Sequence, residues 1–86
     1  MDAVEDALAV IRVRSWLRDG TARAVRTRAG LSQAAVERAV GASAGQVARW
    51  ESGRNAPGYA SAVRLARLYG ELEKITAEKE GAPADG

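Results

Sequence analysis

Residues 30–54, with the sequence GLSQAAVERAVGASAGQVARWESGR, contain the start and stop signals of two short helices. For the first helix, Ser32 is a good N-cap, and Leu31 can pack against Val36 as a hydrophobic staple. Gly41 lies where this helix must stop, because glycine readily takes the left-handed conformation of a C-terminal cap. The pattern therefore predicts a first helix of about nine residues that ends in a tight turn.

A second helix is predicted over residues 44–52, directly after the turn. Ser43 and Gln46 have the spacing of a capping box, and Gly53 is placed to end the helix. Two helices separated by about three to four residues have the spacing of a helix-turn-helix. In that arrangement the second helix projects from the domain, where it can enter the major groove of DNA.

Positive charge is concentrated in the same part of the chain. Residues 12–67 hold eleven arginines against Asp19, Glu37 and Glu51, whereas residues 1–11 and 68–86 each have a surplus of three acids. A basic region that coincides with the motif is what a phosphate-binding surface requires, although an arginine-rich composition alone would also make a chain basic.

Several classes of function lack the residues that they need. The chain has no cysteine and no histidine, which excludes a disulfide and a structural zinc finger and leaves few parts for a metal or nucleophilic enzyme. No glycine-rich phosphate loop, membrane-spanning segment or signal peptide is apparent. We therefore expect no catalytic residue, no metal, no cofactor and a cytoplasmic protein that is not an enzyme.

The rest of the chain also reads as helical, with no strand pattern. Residues 3–18 and 21–29 predict two helices ahead of the motif, and the pattern after the loop at residues 54–58 returns to a helical period. Gly70 either interrupts this last helix or is tolerated at a cost of about 1 kcal/mol. We predict one all-α domain over residues 1–80 with about five helices, an extension over 71–80, and a disordered tail over 81–86.

The residues at these spacings resemble the Cro/cI-type helix-turn-helix (lambda repressor-like, XRE family) of phage repressors and bacterial regulators. The resemblance covers about residues 21–69 and depends on Arg26, the run 30–33, Gly41, Ser43, Val47, the run 49–54, Pro57, Leu65 and Ala66. It implies a homodimer that binds double-stranded DNA at an inverted-repeat operator. From the residues themselves we expect neither a membrane nor a small-molecule effector as a partner.

The resemblance also implies which residues contact DNA: Gln33, Ser43, Ala44, Gly45, Gln46, Arg49, Arg54 and Asn55. By position, Gln33, Arg54 and Asn55 correspond to phosphate contacts. The positions that face base edges are those of Ala44, Gly45, Gln46 and Arg49. Arg49 can form a forked contact with guanine, whereas Gln46 can either address adenine or serve the capping box. Arg26 and Glu51 correspond to a structural ion pair that locks the first helix of the family core to the recognition helix.

Two features depart from the family pattern. Glu37 replaces a small residue, usually alanine, and we expect it to lean outward or to pair with Arg38 or Arg49, because a buried unpaired carboxylate is costly. Residues 2–19 form an additional amphipathic helix, which could pad the core, cover the C-terminal helix or build the dimer interface.

The sequence thus predicts a sequence-specific transcriptional regulator, a Cro-like phage or small bacterial repressor that acts by operator occupancy. With no effector domain expected, regulation would depend on abundance or assembly. The alternative is the antitoxin of a toxin–antitoxin pair, which binds both its promoter and a partner protein. A third possibility is a domain whose DNA binding has degenerated, since Ala44 and Gly45 offer little to a base.

Overall fold

The computed structural model describes residues 2–80, with side chains for residues 2–77. In this range the chain forms five α-helices and no strand: α1 (Ala3–Asp19), α2 (Thr21–Arg28), α3 (Gln33–Val40), α4 (Gln46–Glu51) and α5 (Tyr59–Glu80). The prediction of an all-α fold with an extra helix before the motif is confirmed. The tail expected over residues 81–86 lies outside the described residues.

The additional helix α1 is part of the core. It begins with a capping box, in which the Asp2 carboxylate accepts from the Glu5 backbone N–H at 2.8 Å and Glu5 accepts from the Asp2 N–H at 3.3 Å. One face of α1 buries Val10, Val13 and Leu17, and the helix packs mainly against α5. Two of the three possible roles of residues 2–19, core packing and coverage of the C-terminal helix, are thus both observed.

The long helix α5 is continuous through Gly70 and closes the other side of the core. Leu65 and Tyr69 are fully buried, and Leu72 is almost so, whereas Ile75 is exposed. Burial raises the pKa of the Tyr69 hydroxyl to about 12. The core is apolar and draws on all five helices; its buried hydrophobic members are Val10, Val13, Leu17, Ala22, Val25, Val36, Val40, Val47, Trp50, Ala62, Val63, Leu65, Tyr69 and Leu72.

The loop between α4 and α5 is held by the C-terminal half of α1. Arg14 Nη2 donates to the backbone oxygen of Pro57 at 3.1 Å, and Pro57 itself is buried. Tyr59, at the start of α5, is about half exposed. Among the described residues, no helix is both long and apolar enough to cross a membrane.

Candidate nucleic-acid interface

The first helix of the motif, α3, begins and ends at the predicted residues. Ser32 is the N-cap, and its hydroxyl oxygen accepts from the Ala35 backbone N–H at 3.0 Å. At the other end Gly41 has φ +75°, and the Ala42 N–H donates to the Glu37 carbonyl at 2.8 Å. The left-handed conformation at Gly41 lets the chain leave α3 while its last carbonyls stay hydrogen-bonded.

The second helix of the motif, α4, starts later than predicted. The capping box of Ser43 and Gln46 does not form; instead Gly45 is the N-cap, with φ +86° and ψ −9°, and no side chain of its own caps the helix. The Gln46 N–H donates to the Ser43 carbonyl at 3.1 Å, which closes a turn of the type that needs a left-handed residue at its third position. Glycine at position 45 supplies that conformation, so residues 44 and 45 belong to the turn and α4 contains only Gln46–Glu51.

Glu37, expected to lean outward or to pair with an arginine, instead points into the motif. It is 8% exposed, and its Oε2 accepts from the backbone N–H of Val47 at 3.1 Å. Val47 is in the first turn of α4, where backbone N–H groups lack partners within the helix and the helix dipole favours a negative charge. Glu37 therefore caps α4 from the neighbouring helix. The expectation that Glu37 leans outward or pairs with an arginine is therefore wrong, because its partner, a backbone N–H, carries no signature in the sequence.

A second carboxylate, Glu51, connects the last turn of α4 to α2 and α3. Arg26 Nε donates to Glu51 Oε2 at 2.7 Å, and Arg26 Nη2 donates to Oε1 at 3.0 Å, so the ion pair is a two-bond fork. Gln33 Nε2 adds a third hydrogen bond to Oε1 at 2.9 Å. Arg26 also donates to the Leu31 carbonyl at 3.0 Å, which ties in the segment between α2 and α3.

This network is buried, with side-chain exposures of 8% for Arg26 and 6% for Glu51. Burial by itself would raise the pKa of Glu51, but the hydrogen bonds from Arg26 and Gln33 outweigh it and hold the pKa below its ordinary value. The same contact with Glu51 raises the pKa of Arg26. Both groups are therefore charged and mutually satisfied at neutral pH, which suits a structural pair.

The C-terminal end of α4 is fixed by its own backbone. Gly53, with φ +79°, donates to the Trp50 carbonyl at 3.2 Å, and the Arg54 N–H donates to the Arg49 carbonyl at 3.0 Å. This pair of bonds is the Schellman arrangement that a glycine after the helix makes possible. As a result Arg54 lies directly beneath the end of α4, where it lines an open surface groove with Ala48, Arg49 and Ser52.

The residues expected to face DNA differ in their exposure and in whether their side chains have hydrogen-bond partners within the protein. Ser43, Ala44, Arg49, Arg54 and Asn55 are exposed, while Gly45, Gln46 and Gln33 are half-buried. Among the described residues, the side chains of Gln46, Arg49, Arg54 and Asn55 have no hydrogen-bond or ion-pair partner. Gln33 is different, because its amide is already engaged by Glu51.

Arg49 lies against Gly45 rather than against Glu37. A Cβ atom placed on Gly45 would be 3.1 Å from Arg49 Nη1 and 3.8 Å from its Cζ. The guanidinium of Arg49 thus extends back toward the N-terminal end of α4, as long side chains of a helix do. The glycine has two roles here: it adopts the turn conformation, and it leaves room for the arginine.

The acidic side chains of the motif point inward, whereas its basic side chains are exposed. Between residues 30 and 58 the only acids are Glu37 and Glu51, and both carboxylates are used by inward hydrogen bonds. The three bases of the same segment, Arg38, Arg49 and Arg54, are exposed. The outer surface of the motif therefore presents only positive formal charge, a property that the sequence count of acids and bases does not reveal.

A family model of a helix-turn-helix domain matches residues 20–74, which is more than half of the chain. The chain belongs to this helix-turn-helix family, which indicates a DNA-binding regulator and is typical of proteins that are not enzymes. The match begins after α1, so the additional helix lies outside the family region. No curated protein and no solved structure matches the chain.

Proposed function

We propose that this protein is a sequence-specific double-stranded DNA-binding transcriptional regulator, a Cro-like repressor that blocks transcription by occupying its operator. The observation that supports this most directly is the sorting of charge in the motif. Both carboxylates are turned inward, and Arg38, Arg49 and Arg54 remain outside. Such a surface attracts a phosphate backbone without local repulsion from acids.

Base recognition in this proposal depends on the exposed side of α4 and the turn before it. Arg49 has no protein partner among the described residues, so its guanidinium is available for a forked contact with guanine O6 and N7. Because the capping box does not form, the side-chain amide of Gln46 is available to hydrogen-bond with adenine. Ala44 offers only a methyl group, and Gly45 allows close approach of the backbone. With so few base-reading groups, DNA shape and phosphate contacts contribute a large share of the affinity.

Phosphate contacts are assigned to residues on both sides of α4. Arg54 and Asn55 extend from the loop after the helix, and Ser43 presents its hydroxyl in the turn before it. Gln33 uses its side-chain amide to donate to Glu51, but an NH₂ group has two N–H bonds, so the second can still donate to a phosphate oxygen. Glu51 would then orient Gln33 for that contact rather than compete with it.

The proposed regulator acts as a homodimer. A two-fold dimer recognises an inverted repeat, and its two recognition helices enter successive major grooves at half-sites about 34 Å apart. The contact between the two copies has to leave α4 accessible.

The test is a selection of bound sequences from random duplexes, carried out at a stated salt concentration. The wild-type chain is expected to enrich an inverted repeat, and Arg49→Ala is expected to lose preference at one position in each half-site. Arg67→Ala, which removes an exposed arginine of α5 outside the motif, is the matched control and should leave the enriched sequence unchanged. Absence of any duplex binding at low ionic strength contradicts the proposal, and uniform weakening by Arg49→Ala would assign Arg49 to phosphate instead.

A further inference from the structure

Helix α1 has a second apolar face that the fold leaves exposed. Val4, Leu8 and Ile11 are 68%, 56% and 65% exposed. Their spacing of four and then three residues places them in one stripe along the helix. The buried residues of α1 lie on the opposite side, so this stripe is not the edge of the core. Three large aliphatic side chains in a continuous exposed row are typical of an interaction surface rather than of a solvated face.

The charges beside the stripe are arranged so that they complement a second copy of themselves. Glu5 follows Val4 and Arg12 follows Ile11, so both lie on the same flank, one toward each end of the stripe. They line a shallow groove together with Leu8 and Ala9. If two such helices pack antiparallel about a two-fold axis, Glu5 of each copy comes next to Arg12 of the other, and the two ion pairs form at once.

We propose that the α1 stripe, formed by Val4, Leu8 and Ile11, is the homodimer interface, in which α1 of one copy packs antiparallel against α1 of a second copy. This inference rests on the proposed function and locates the contact between its two copies. A stripe of three residues spans about 10 Å of helix, which is small for a permanent interface. The dimer is therefore expected to be weak and concentration-dependent in the absence of DNA.

The position of the stripe leaves the DNA-contacting surface free. The stripe occupies the N-terminal half of α1, whereas the C-terminal half of the same helix contacts the region of α4. There Arg14, Leu17 and Arg18 line a cavity with Trp50, and Arg14 holds Pro57. One rigid helix thus joins the proposed interface to the recognition helix at its other end. The spacing of the two recognition helices in a dimer would be set by α1.

The first test is sedimentation of the full chain without DNA, so that failure of the interface is distinguishable from failure of duplex binding. The wild-type chain is expected to show a monomer–dimer equilibrium. Leu8→Glu is expected to raise the dimer dissociation constant by about 100-fold, because each dimer would bury two new carboxylates and lose two apolar contacts. Ile75→Glu changes an equally exposed aliphatic residue of α5 outside the stripe and should leave the constant unchanged.

The second test uses the charges. Glu5→Arg alone and Arg12→Glu alone each place like charges together in a homodimer, so each variant is expected to be monomeric. An equimolar mixture of the two variants restores opposite charges at both positions and is expected to form a heterodimer. Because Glu5 also belongs to the capping box of α1, circular dichroism of each variant checks that α1 is still helical.

Three results would overturn the proposal. The first is a wild-type chain that stays monomeric at about 100 μM. This result would overturn the proposal even if a different protein were found to bind the stripe. The second is a dimer that Leu8→Glu leaves intact while Ile75→Glu dissociates it, which would move the interface to α5. The third is a mixture of the two charge variants that remains monomeric although both are fully helical.

Discussion

The Glu37 carboxylate of α3 accepts a 3.1 Å hydrogen bond from the backbone N–H of Val47 in the first turn of α4. The two residues belong to different helices of the motif, and the turn between them contains Gly45, which has no side chain to cap the helix itself. The start of α4 is thus capped by a side chain of the neighbouring helix. Since α4 has only six residues, which is less than two turns, we expect this hydrogen bond to contribute strongly to the order of the helix.

Replacement of Glu37 should show how much this cap contributes. Glu37→Ala is expected to lower the free energy of unfolding by about 2 kcal/mol, because it removes the acceptor and leaves a buried N–H unpaired. Glu37→Gln keeps an acceptor oxygen and should cost less than half as much. Denaturant unfolding measures the stability, and amide hydrogen exchange at Val47 reports on the cap itself. Exchange at Val47 that is equally slow in Glu37→Ala would show that the carboxylate is not the cap.

The ion pair of Arg26 and Glu51 should be strongly coupled. Each single alanine variant is expected to lose about 3 kcal/mol, since it leaves the opposite charge buried and without its main partner. The double variant should lose clearly less than the sum of the two, giving a coupling energy of about 2 kcal/mol. The exposed pair Lys74 and Glu71, at 3.2 Å, is the matched control and should couple by less than about 0.5 kcal/mol. Equal coupling in the two pairs would contradict the structural role of Glu51.

Acid should weaken the fold through Glu51. The pKa of this carboxyl is lower in the folded chain than its ordinary value of 4.5. Its contribution to stability is therefore fully present above about pH 4.5 and is lost as the pH falls from there through the folded-state pKa. The melting temperature is measured between about pH 7 and pH 2. Below about pH 4.5 it is expected to fall more steeply for the wild-type chain than for Glu51→Gln. Parallel profiles for the two proteins would mean that Glu51 does not titrate as the geometry requires.

Two glycine-to-alanine substitutions should have opposite effects. Gly45→Ala puts a side chain at φ +86° and 3.1 Å from Arg49 Nη1, so it should destabilise the fold by about 1 kcal/mol and displace the arginine. Gly70→Ala lies in the interior of α5 with nothing within 4 Å of the added atom, and it should stabilise by about 0.5–1 kcal/mol. Thermal denaturation of both variants checks the signs. Stabilisation by Gly45→Ala would mean that the turn before α4 is not the one described.

Arg54 is expected to contribute to the affinity for duplex DNA but not to the preference for a particular sequence. It lies in the loop after α4 and shares a surface groove with Arg49, and the proposed function assigns it to phosphate. Arg54→Ala is expected to reduce the salt slope of duplex binding by about one unit and to weaken all sequences alike. Titrations of an enriched and a scrambled duplex over a range of salt concentrations measure both effects. A changed ranking of the two duplexes would instead place Arg54 at a base.

Local signals in the sequence were sufficient for much of the fold. The N-cap at Ser32 and the helix stops at Gly41 and Gly53 depend on one residue and its nearest neighbours, and each is found where predicted. The periodic apolar residues of α1 and α5 likewise predicted helices that are observed. Such features are readable because propensity and capping act within about one helical turn.

The errors at the motif have a common physical origin. Ser43 and Gln46 have the spacing of a capping box, but the turn before α4 depends on Gly45 adopting a left-handed conformation, which spacing alone does not report. The sequence predicts a Glu37 that leans outward or pairs with an arginine, because its true partner, a backbone N–H, carries no signature in the sequence. The engagement of Gln33 by Glu51 was missed for a similar reason, since it joins residues eighteen positions apart on two helices.

Helix α4, which is proposed to contact DNA bases, is held in place by groups that are not proposed to contact them. Glu37 fixes its first turn, Glu51 ties its last turn to α2 and α3, and its apolar residues Val47 and Trp50 are buried in the core. Positions 44, 46 and 49 take no part in these attachments, so they can be exchanged with little loss of stability. The scaffold is thereby suited to acquire new target sequences by a few outward substitutions, and a library randomised at these three positions should yield mostly folded proteins.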